Sequence, residues 1–276
     1  MRPCWHWHVS LNKPNALLQR AKVLRLKKGL SQNFLIDASI LRKIQTLVLS
    51  EEAEKIVEIG SGAGFLTELL VESGRPVVAI EVDTTMALSE FPNFSLMHQD
   101  VRQVDLASLI QPRGVIVGNL PYHLTGPILF QIVGELADAQ YPLRACLTHA
   151  VLMVQKEVGE RLLAKPGESA YGQLTLQASF WFEVLHGLDV PRTAFYPAPK
   201  VDSMVLIFKP RHEPVIQVRD LEKLSRLIKS SFVHRRKTLL NNLKLGGWDI
   251  EALQIPKNAR PQEFSIQQFG ALSDAL

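Results

Sequence analysis

Asn119, Leu120, Pro121 and Tyr122 stand in "GNLPYHLTGP" (118–127), directly after the apolar run 115–117. Asn and Pro are ordinary turn formers at the end of a strand. A large ring at a loop tip needs a different explanation. The carboxamide oxygen of Asn119 is an acceptor for an exocyclic amine, as is the Leu120 carbonyl, whose direction Pro121 fixes. Tyr122 offers a flat face to a planar base. Together these groups would hold the 6-amino group of an adenine.

Three further motifs carry chemistry of a matching kind. "VEIGSGAGFLT" (57–67) places Gly60, Gly62 and Gly64 where a strand turns sharply into a helix and backbone comes close to a ligand. Its spacing is not the G-x-G-x-x-G of dinucleotide binders. Glu81, about twenty residues further on in "AIEVD", is placed to accept from a ribose diol. Asp100 closes "FSLMHQD" (94–100), where a short acid can accept from an adenine amino group. The glycine loop and these two acids outline a nucleoside site. The amine holder beside it favours S-adenosyl-L-methionine over NAD, because it pairs a methyl donor with an amine acceptor.

The elements that must position these residues are legible from periodicity. Asp37 reads as the N-cap of a helix running to about residue 49. Strands are expected at 55–60, 76–81, 94–100 and 114–119, with a fifth inside 146–154 and two later ones at 182–190 and 203–209. Helices are expected at 64–74, 126–136 and 155–164. This alternation predicts an α/β fold with a mainly parallel sheet and helices on both faces, its ligands beyond the carboxyl ends of the strands. After Pro210 the pattern becomes purely helical. The expected organisation is a basic, flexible N-terminal extension (1–26), a catalytic domain (27–210) and a small all-helical C-terminal domain (211–276).

Composition narrows the function classes. The chain has 276 residues, 46% of them hydrophobic, and its mean hydropathy of +0.05 describes a soluble globular protein. No stretch reaches the ~18 apolar residues of a membrane span. Two cysteines, Cys4 and Cys146, make no disulfide framework and match no metal spacing, which points to a reducing compartment. "CWHWH" (4–8) is read as no metal site, and the N-terminus lacks a secretory h-region, so a cytoplasmic monomer is expected. Net charge is only +4, but residues 219–244 hold eight Lys/Arg against two acids, a patch suited to a polyanion.

With these motifs in place, the chain resembles the rRNA adenine dimethyltransferase family, and within it the bacterial small-subunit branch. The resemblance runs from about Lys27 to the C-terminus through "KKGLSQNFLID" (27–37), the glycine loop, "AIEVD", "NLPYHLTGP", "QKEVGERLLAKPGESAYGQL" (155–174), "FYPAPKVDS" (195–203) and "FVHRRKTLLNNL" (232–243). It implies a class I (Rossmann-like) methyltransferase domain followed by a small helical domain. It also implies cofactor contacts at Asn33, Leu35, Gly60, Glu81, Asp100 and Asn119, to which the glycine pattern adds Gly62. The chain departs from the family at Ser61, where Pro is usual, and at Gly126, where Ser or Thr is common. The 81–100 stretch is also several residues short, as if a helix had been trimmed.

The expected reaction is in-line displacement, with the target amine activated by Asn119 and the Leu120 carbonyl. Tyr122 stacks on the base and Phe195 on its opposite face, while Arg235, Arg236 and Lys237 grip phosphate. No dedicated general base is expected. The implied substrate is 16S rRNA in a 30S subunit or its precursor, with two adjacent adenosines near its 3′ end. Three alternatives compete. A macrolide-resistance methylase acting on large-subunit rRNA more often has Ile at the position of Leu120. A DNA adenine methylase would place Asp or Asn before Pro-Pro-Tyr. A non-catalytic RNA-binding factor would have no reason to keep Glu81, Asp100 and Asn119 together.

Overall fold

The computed structural model describes residues 15–24, 26–27, 32–86, 88, 91–251 and 253–276. They divide into two compact units. The first contains the described residues up to Ile132 together with Pro142–Lys156 and Leu185–Lys209; the second contains Val133–Tyr141, Glu157–Val184 and Pro210–Leu276.

The described residues begin with helix α1 (Ala16–Lys22), inside the stretch expected to be a flexible extension. Leu17 and Ala21 are buried, and the Arg20 guanidinium lies 4.8 Å from the centre of the Phe65 ring while pairing bidentately with Glu68. Within the stretch expected to be flexible, these residues thus form a helix with one apolar face and one well-placed Arg. A two-residue strand β1 (Phe34–Leu35) precedes α2 (Ala38–Val48). Asp37 caps α2 by accepting from the Ser39 and Ile40 amides, and Ile40, Leu41, Ile44 and Val48 form its buried stripe.

Next come β2 (Lys55–Ile59), α3 (Phe65–Val71), β3 (Val77–Ile80), β4 (Phe94–Met97), α4 (Leu106–Ile110), β5 (Gly114–Asn119), α5 (Thr125–Val133), α6 (Pro142–Cys146) and β6 (Leu147–Gln155). Helices α7 (Lys156–Leu163) and α8 (Gln173–Trp181) lead into β7 (Phe182–Val190), the short β8 (Phe195–Tyr196) and β9 (Ser203–Pro210). Seven strands form one sheet in the order β4-β3-β2-β5-β6-β9-β7. Pairings among β4, β3, β2, β5 and β6 are parallel, and β9 joins β6 antiparallel. The central strands β2, β5 and β6 are buried along nearly their whole length and mostly apolar, as suits strands covered on both faces. β1 pairs separately with β8. This is the Rossmann-like sheet that the alternating pattern predicts, and its strand order reverses between β2 and β5.

The second unit is helical: α7 and α8 with α9 (Leu221–Ser231), α10 (Leu239–Leu245) and α11 (Ile266–Ala275). Residues 157–184, which the sequence reading grouped with 27–210, pack here. The reason is local: the Arg211 amide donates to the Trp181 carbonyl, the Val215 amide donates to Phe180, and the Trp181 indole donates to the Leu136 carbonyl. No helix among the described residues is long and apolar enough to cross a membrane. Cys146 is buried and unpaired; Cys4, His6 and His8 lie outside the described residues.

His149 ties the sheet to α2. It is fully buried, and its Nε2 lies 3.0 Å from the Leu47 carbonyl oxygen. A carbonyl only accepts, so Nε2 carries the hydrogen, and Nδ1 is left without a partner among the described residues. Burial holds the imidazole pKa below its ordinary value; the Leu47 carbonyl and Glu51 oppose that shift, and Lys209 and Arg75 reinforce it. The unfolded chain therefore binds a proton that the native state refuses, and stability contributed here is lost as pH falls through about 6.5. Thermal unfolding from pH 8 to 5.5 should show an acid-side loss of Tm in the wild type that is smaller in His149→Phe; equal slopes would contradict this account.

Candidate active site

The site begins where β2 and β5 run side by side. Their ladder ends with Ile59 opposite Gly118, so the glycine loop after β2 and Asn119 at the end of β5 emerge next to each other. A Cβ on Gly60 would lie 3.8 Å from the Asn119 carbonyl oxygen. The loop itself is built from left-handed backbone, with φ of +74° at Gly60, +51° at Gly62 and +77° at Gly64. At Gly62 an added Cβ would meet the Phe34 ring at 2.9 Å, and at Gly64 it would meet Leu88 at 2.4 Å. Phe34 and Leu88 therefore fill the space a side chain at Gly62 or Gly64 would need.

The loop borders a cavity of about 420 Å³, within the ~300–1,000 Å³ range of small-molecule sites. Asn33, Leu35, Gly60, Gly62, Glu81, Asp100, Asn119, Leu120 and Tyr122 all line it. Glu81 is buried, and each of its oxygens accepts a backbone amide at 2.8 Å, Gly62 on Oε2 and Asp83 on Oε1. Its remaining lone pairs face the cavity side of the strand end. Asp100 caps the 3-10 turn at Val101–Gln103 and is gripped by the Arg102 guanidinium, which holds its carboxyl below the usual range.

At the amine holder, Asn119 Nδ2 donates to the Asn33 carbonyl at 3.0 Å. This bond decides which way the carboxamide points and leaves Oδ1 as the acceptor on the opposite side. The Tyr122 hydroxyl is 3.0 Å from Ser203 Oγ, fixing the ring; burial raises its pKa. Acceptors, a ring face and a glycine cradle fit an adenosine-bearing cofactor beside an aromatic amine.

Phe195 does not join them. It is 3% exposed, lies outside the cavity lining and pairs with Leu35 in the β1–β8 ladder, its ring in the same buried cluster as Phe34 and Met153. In this structure strand pairing packs the ring, expected to stack on the base, among core residues behind the cavity wall. Arg235, Arg236 and Lys237 are exposed on the turn between α9 and α10 in the second unit. Buried Asn242 shapes that turn by accepting from the His234 amide and donating to the His234 and Lys237 carbonyls, while Arg235 itself donates to the Ser169 carbonyl.

The lining residues that the motif reading did not assign include Gln32, Glu58, Val82 and Val101. Glu58 opens the "EIGSGAG" string, and Val82 and Val101 each follow an assigned acid, so adjacency was the available signal. Val82 is half-exposed beside Glu81 and Val101 is buried beside Asp100, giving the cavity two apolar faces.

The ribosomal RNA adenine dimethylase family matches residues 23–276 of the chain. The chain belongs to that family. It is 39% identical to the small-subunit rRNA methyltransferase A of Lactococcus lactis, over 91% of this chain and 90% of the relative. It is 38% identical to that of Shouchella clausii, over 96% and 94%. Among solved structures, a dimethyladenosine transferase from Plasmodium falciparum superposes with a TM-score of 0.66 at 23% identity, covering 86% of this chain and 94% of that one. The 23S rRNA methyltransferase ErmE superposes with a TM-score of 0.65 at 23% identity, covering 88% and 99%. The sheet described above is thus the class I methyltransferase fold, and this family member is an rRNA adenine methyltransferase.

Within the site Glu58 stands apart electrostatically. Burial raises its pKa to about 7, reinforced by nearby Glu81, although the Thr67 hydroxyl donates to it. The native state keeps this proton to higher pH than the unfolded chain does, so stability falls as pH rises from about 4.5 to about 7. Glu58→Gln, which retains an acceptor for Thr67, should remove that slope and raise stability at pH 8 by up to about 3 kcal/mol. Denaturant unfolding at pH 5 and pH 8 is the check, and a variant no more stable than wild type at pH 8 would refute a neutral Glu58.

Proposed function

We propose that this chain transfers methyl groups from S-adenosyl-L-methionine to the 6-amino groups of two adjacent adenosines near the 3′ end of 16S rRNA. The substrate is a 30S subunit or its precursor during ribosome assembly, and the protein acts in the cytoplasm as a monomer. The observation that carries this reading is the fixed carboxamide of Asn119: with Nδ2 committed to the Asn33 carbonyl, Oδ1 faces the cavity beside the Leu120 carbonyl and Tyr122.

S-adenosyl-L-methionine, when bound, supplies a methyl carbon on a sulfonium, already a good leaving group. Gly60, Gly62, Glu81 and Asp100 would hold it, with Asn33 and Leu35 closing the pocket. The protein's work is then alignment, which contributes up to ~7–11 kcal/mol. An aromatic amine is a poor nucleophile because its lone pair is delocalised into the ring. Two hydrogen bonds from it, to Asn119 Oδ1 and the Leu120 carbonyl, draw the lone pair onto nitrogen and stabilise the positive charge that develops there. The proton leaves after transfer, when the amine has become acidic, so no dedicated base is required. A second methylation gives up one of the two hydrogen bonds.

A stacked adenine cannot reach this cavity, so the base is flipped or comes from a single-stranded loop and rests on Tyr122. Arg235, Arg236 and Lys237 supply phosphate affinity that weakens with salt and reads no sequence. The small-subunit substrate is favoured over the large subunit because relatives at 39% and 38% identity carry the small-subunit name, against 23% for ErmE.

The test is methyl transfer from radiolabelled S-adenosyl-L-methionine to unmethylated 30S subunits, with 50S subunits and duplex DNA in parallel and the product nucleosides separated. Dimethyladenosine in 30S alone is expected, and label in 50S instead would replace this reading with the large-subunit one. Asn119→Ala should slow transfer about a hundredfold or more without abolishing cofactor binding; transfer at the wild-type rate would remove Asn119 from the acceptor pocket.

A further inference from the structure

We infer that Gln32 and Asp83, neither of which touches the reacting atoms, are positioning residues that fix the orientation of the Asn119 carboxamide. The inference rests on the proposed role of Asn119 and extends it to the groups that hold that residue.

Asp83 is 1% exposed, and its carboxylate collects donors from two separate segments. Thr85 donates to Oδ1 through its amide at 3.0 Å and its hydroxyl at 2.6 Å, and Lys27 Nζ pairs with the same oxygen. Gln32 Nε2 donates to Oδ2 at 2.8 Å. The other end of the Gln32 carboxamide is also engaged, since Oε1 accepts from the Lys27 amide at 2.9 Å. Gln32 is thereby clipped to Asp83 in the loop beyond β3 at one end and to the Lys27 amide of its own segment at the other.

The next residue is Asn33, whose carbonyl receives Asn119 Nδ2. Beyond it the backbone is fixed again: Phe34 and Leu35 pair with Tyr196 and Phe195, and the Ile36 amide donates to the Ala194 carbonyl at 2.8 Å. Asn33 therefore hangs between a side-chain clip and a strand ladder, and its carbonyl has one direction. A carbonyl only accepts, so Asn119 must turn its NH2 toward Asn33 and its oxygen the other way. With the clip released, the carboxamide can flip and present a donor to an amine that itself donates. Lost geometry of this kind costs catalysis without costing affinity.

The lever must be Gln32, because the Asp83 amide also donates to Glu81 and substitutions there would disturb the cofactor side as well. Gln32→Met keeps the length of the side chain and removes both hydrogen bonds; Gln32→Ala is the second variant should the thioether pack differently. In the full-length protein without cofactor, the Asn119 side-chain NH2 resonances, assigned by their absence in Asn119→Ala, report the orientation directly. They should shift in Gln32→Met. Single-turnover transfer to unmethylated 30S subunits should slow about ten- to a hundredfold, S-adenosylhomocysteine should bind within about twofold of wild type, and the loss should vanish in an Asn119→Ala background. Unmoved resonances, or the same loss with and without Asn119, overturn the inference alone. Wild-type transfer by Asn119→Ala overturns the acceptor reading and the inference together.

Discussion

Gly118 lies opposite Ile59 in the β2–β5 ladder, and a Cβ there would stand 2.8 Å from the Ile59 carbonyl oxygen. Only glycine lets the two central strands close up at their carboxyl ends, and that closeness is what the site depends on. One residue later β5 releases Asn119 beside Gly60, at the point where the strand order reverses. A slip of one residue would turn Asn119 to the opposite face of the sheet and leave the glycine loop facing Gly118 instead. The Leu120 amide, bonded to the Met153 carbonyl on β6 at 3.0 Å, fixes the exit angle of the chain from the other side. The holder for an amine and the cradle for a cofactor are thus products of one register.

Much of this was legible because it is local. Apolar runs ended by an acid, a glycine loop or an Asn-x-Pro turn mark strand ends, and strand ends are where this fold gathers its ligands. Glu81, Asp100 and Asn119 could therefore be placed without seeing the sheet. Phe195 could not, because whether an aromatic ring in a Pro-rich loop faces a ligand or the core depends on its strand partner 160 positions earlier in the chain, Leu35. The same non-local dependence hid α1, whose Arg20 finds Glu68 and Phe65 only in the folded state. It also hid Asp83: in "AIEVD" nothing distinguishes a surface acid from one that gathers Lys27 and Gln32 from another segment.

The short connection between β3 and β4 shows how a site survives the loss of an element. Among the described residues of 81–93 there is no helix. What a helix would supply is apolar cover for the strand ends, and individual side chains supply it here. Met86 is buried in the core, Leu88 presses on Gly64, and Phe91 packs edge-on to Phe94 at 6.4 Å. The Asp83 turn, tied down by Thr85 and by the Glu81 carboxylate, holds the start of the loop in place of a first helical turn. Glu81 and Asp100 consequently still face one cavity.

The cavity gathers acceptor atoms, and their arrangement bears on which base it can process. Glu81 and Asp100 have dedicated donors, Gly62 and Asp83 amides for the first and Arg102 for the second. Glu58, fully buried with only the Thr67 hydroxyl donating to it, has its pKa pushed up to about 7. In the cavity the Asn33 carbonyl accepts from the Asn119 NH2 group and turns that group toward itself. Under the proposed role of Asn119, a base presented on its Oδ1 side meets two acceptors, Oδ1 and the Leu120 carbonyl. Adenine satisfies both with its 6-amino group. Guanine, bringing a carbonyl to the same position, would set acceptor against acceptor in a partly desolvated site, a mismatch far more costly than the loss of a contact. On the proposed reading, selection for adenine follows from the same hydrogen bond that orients the acceptor for its amine.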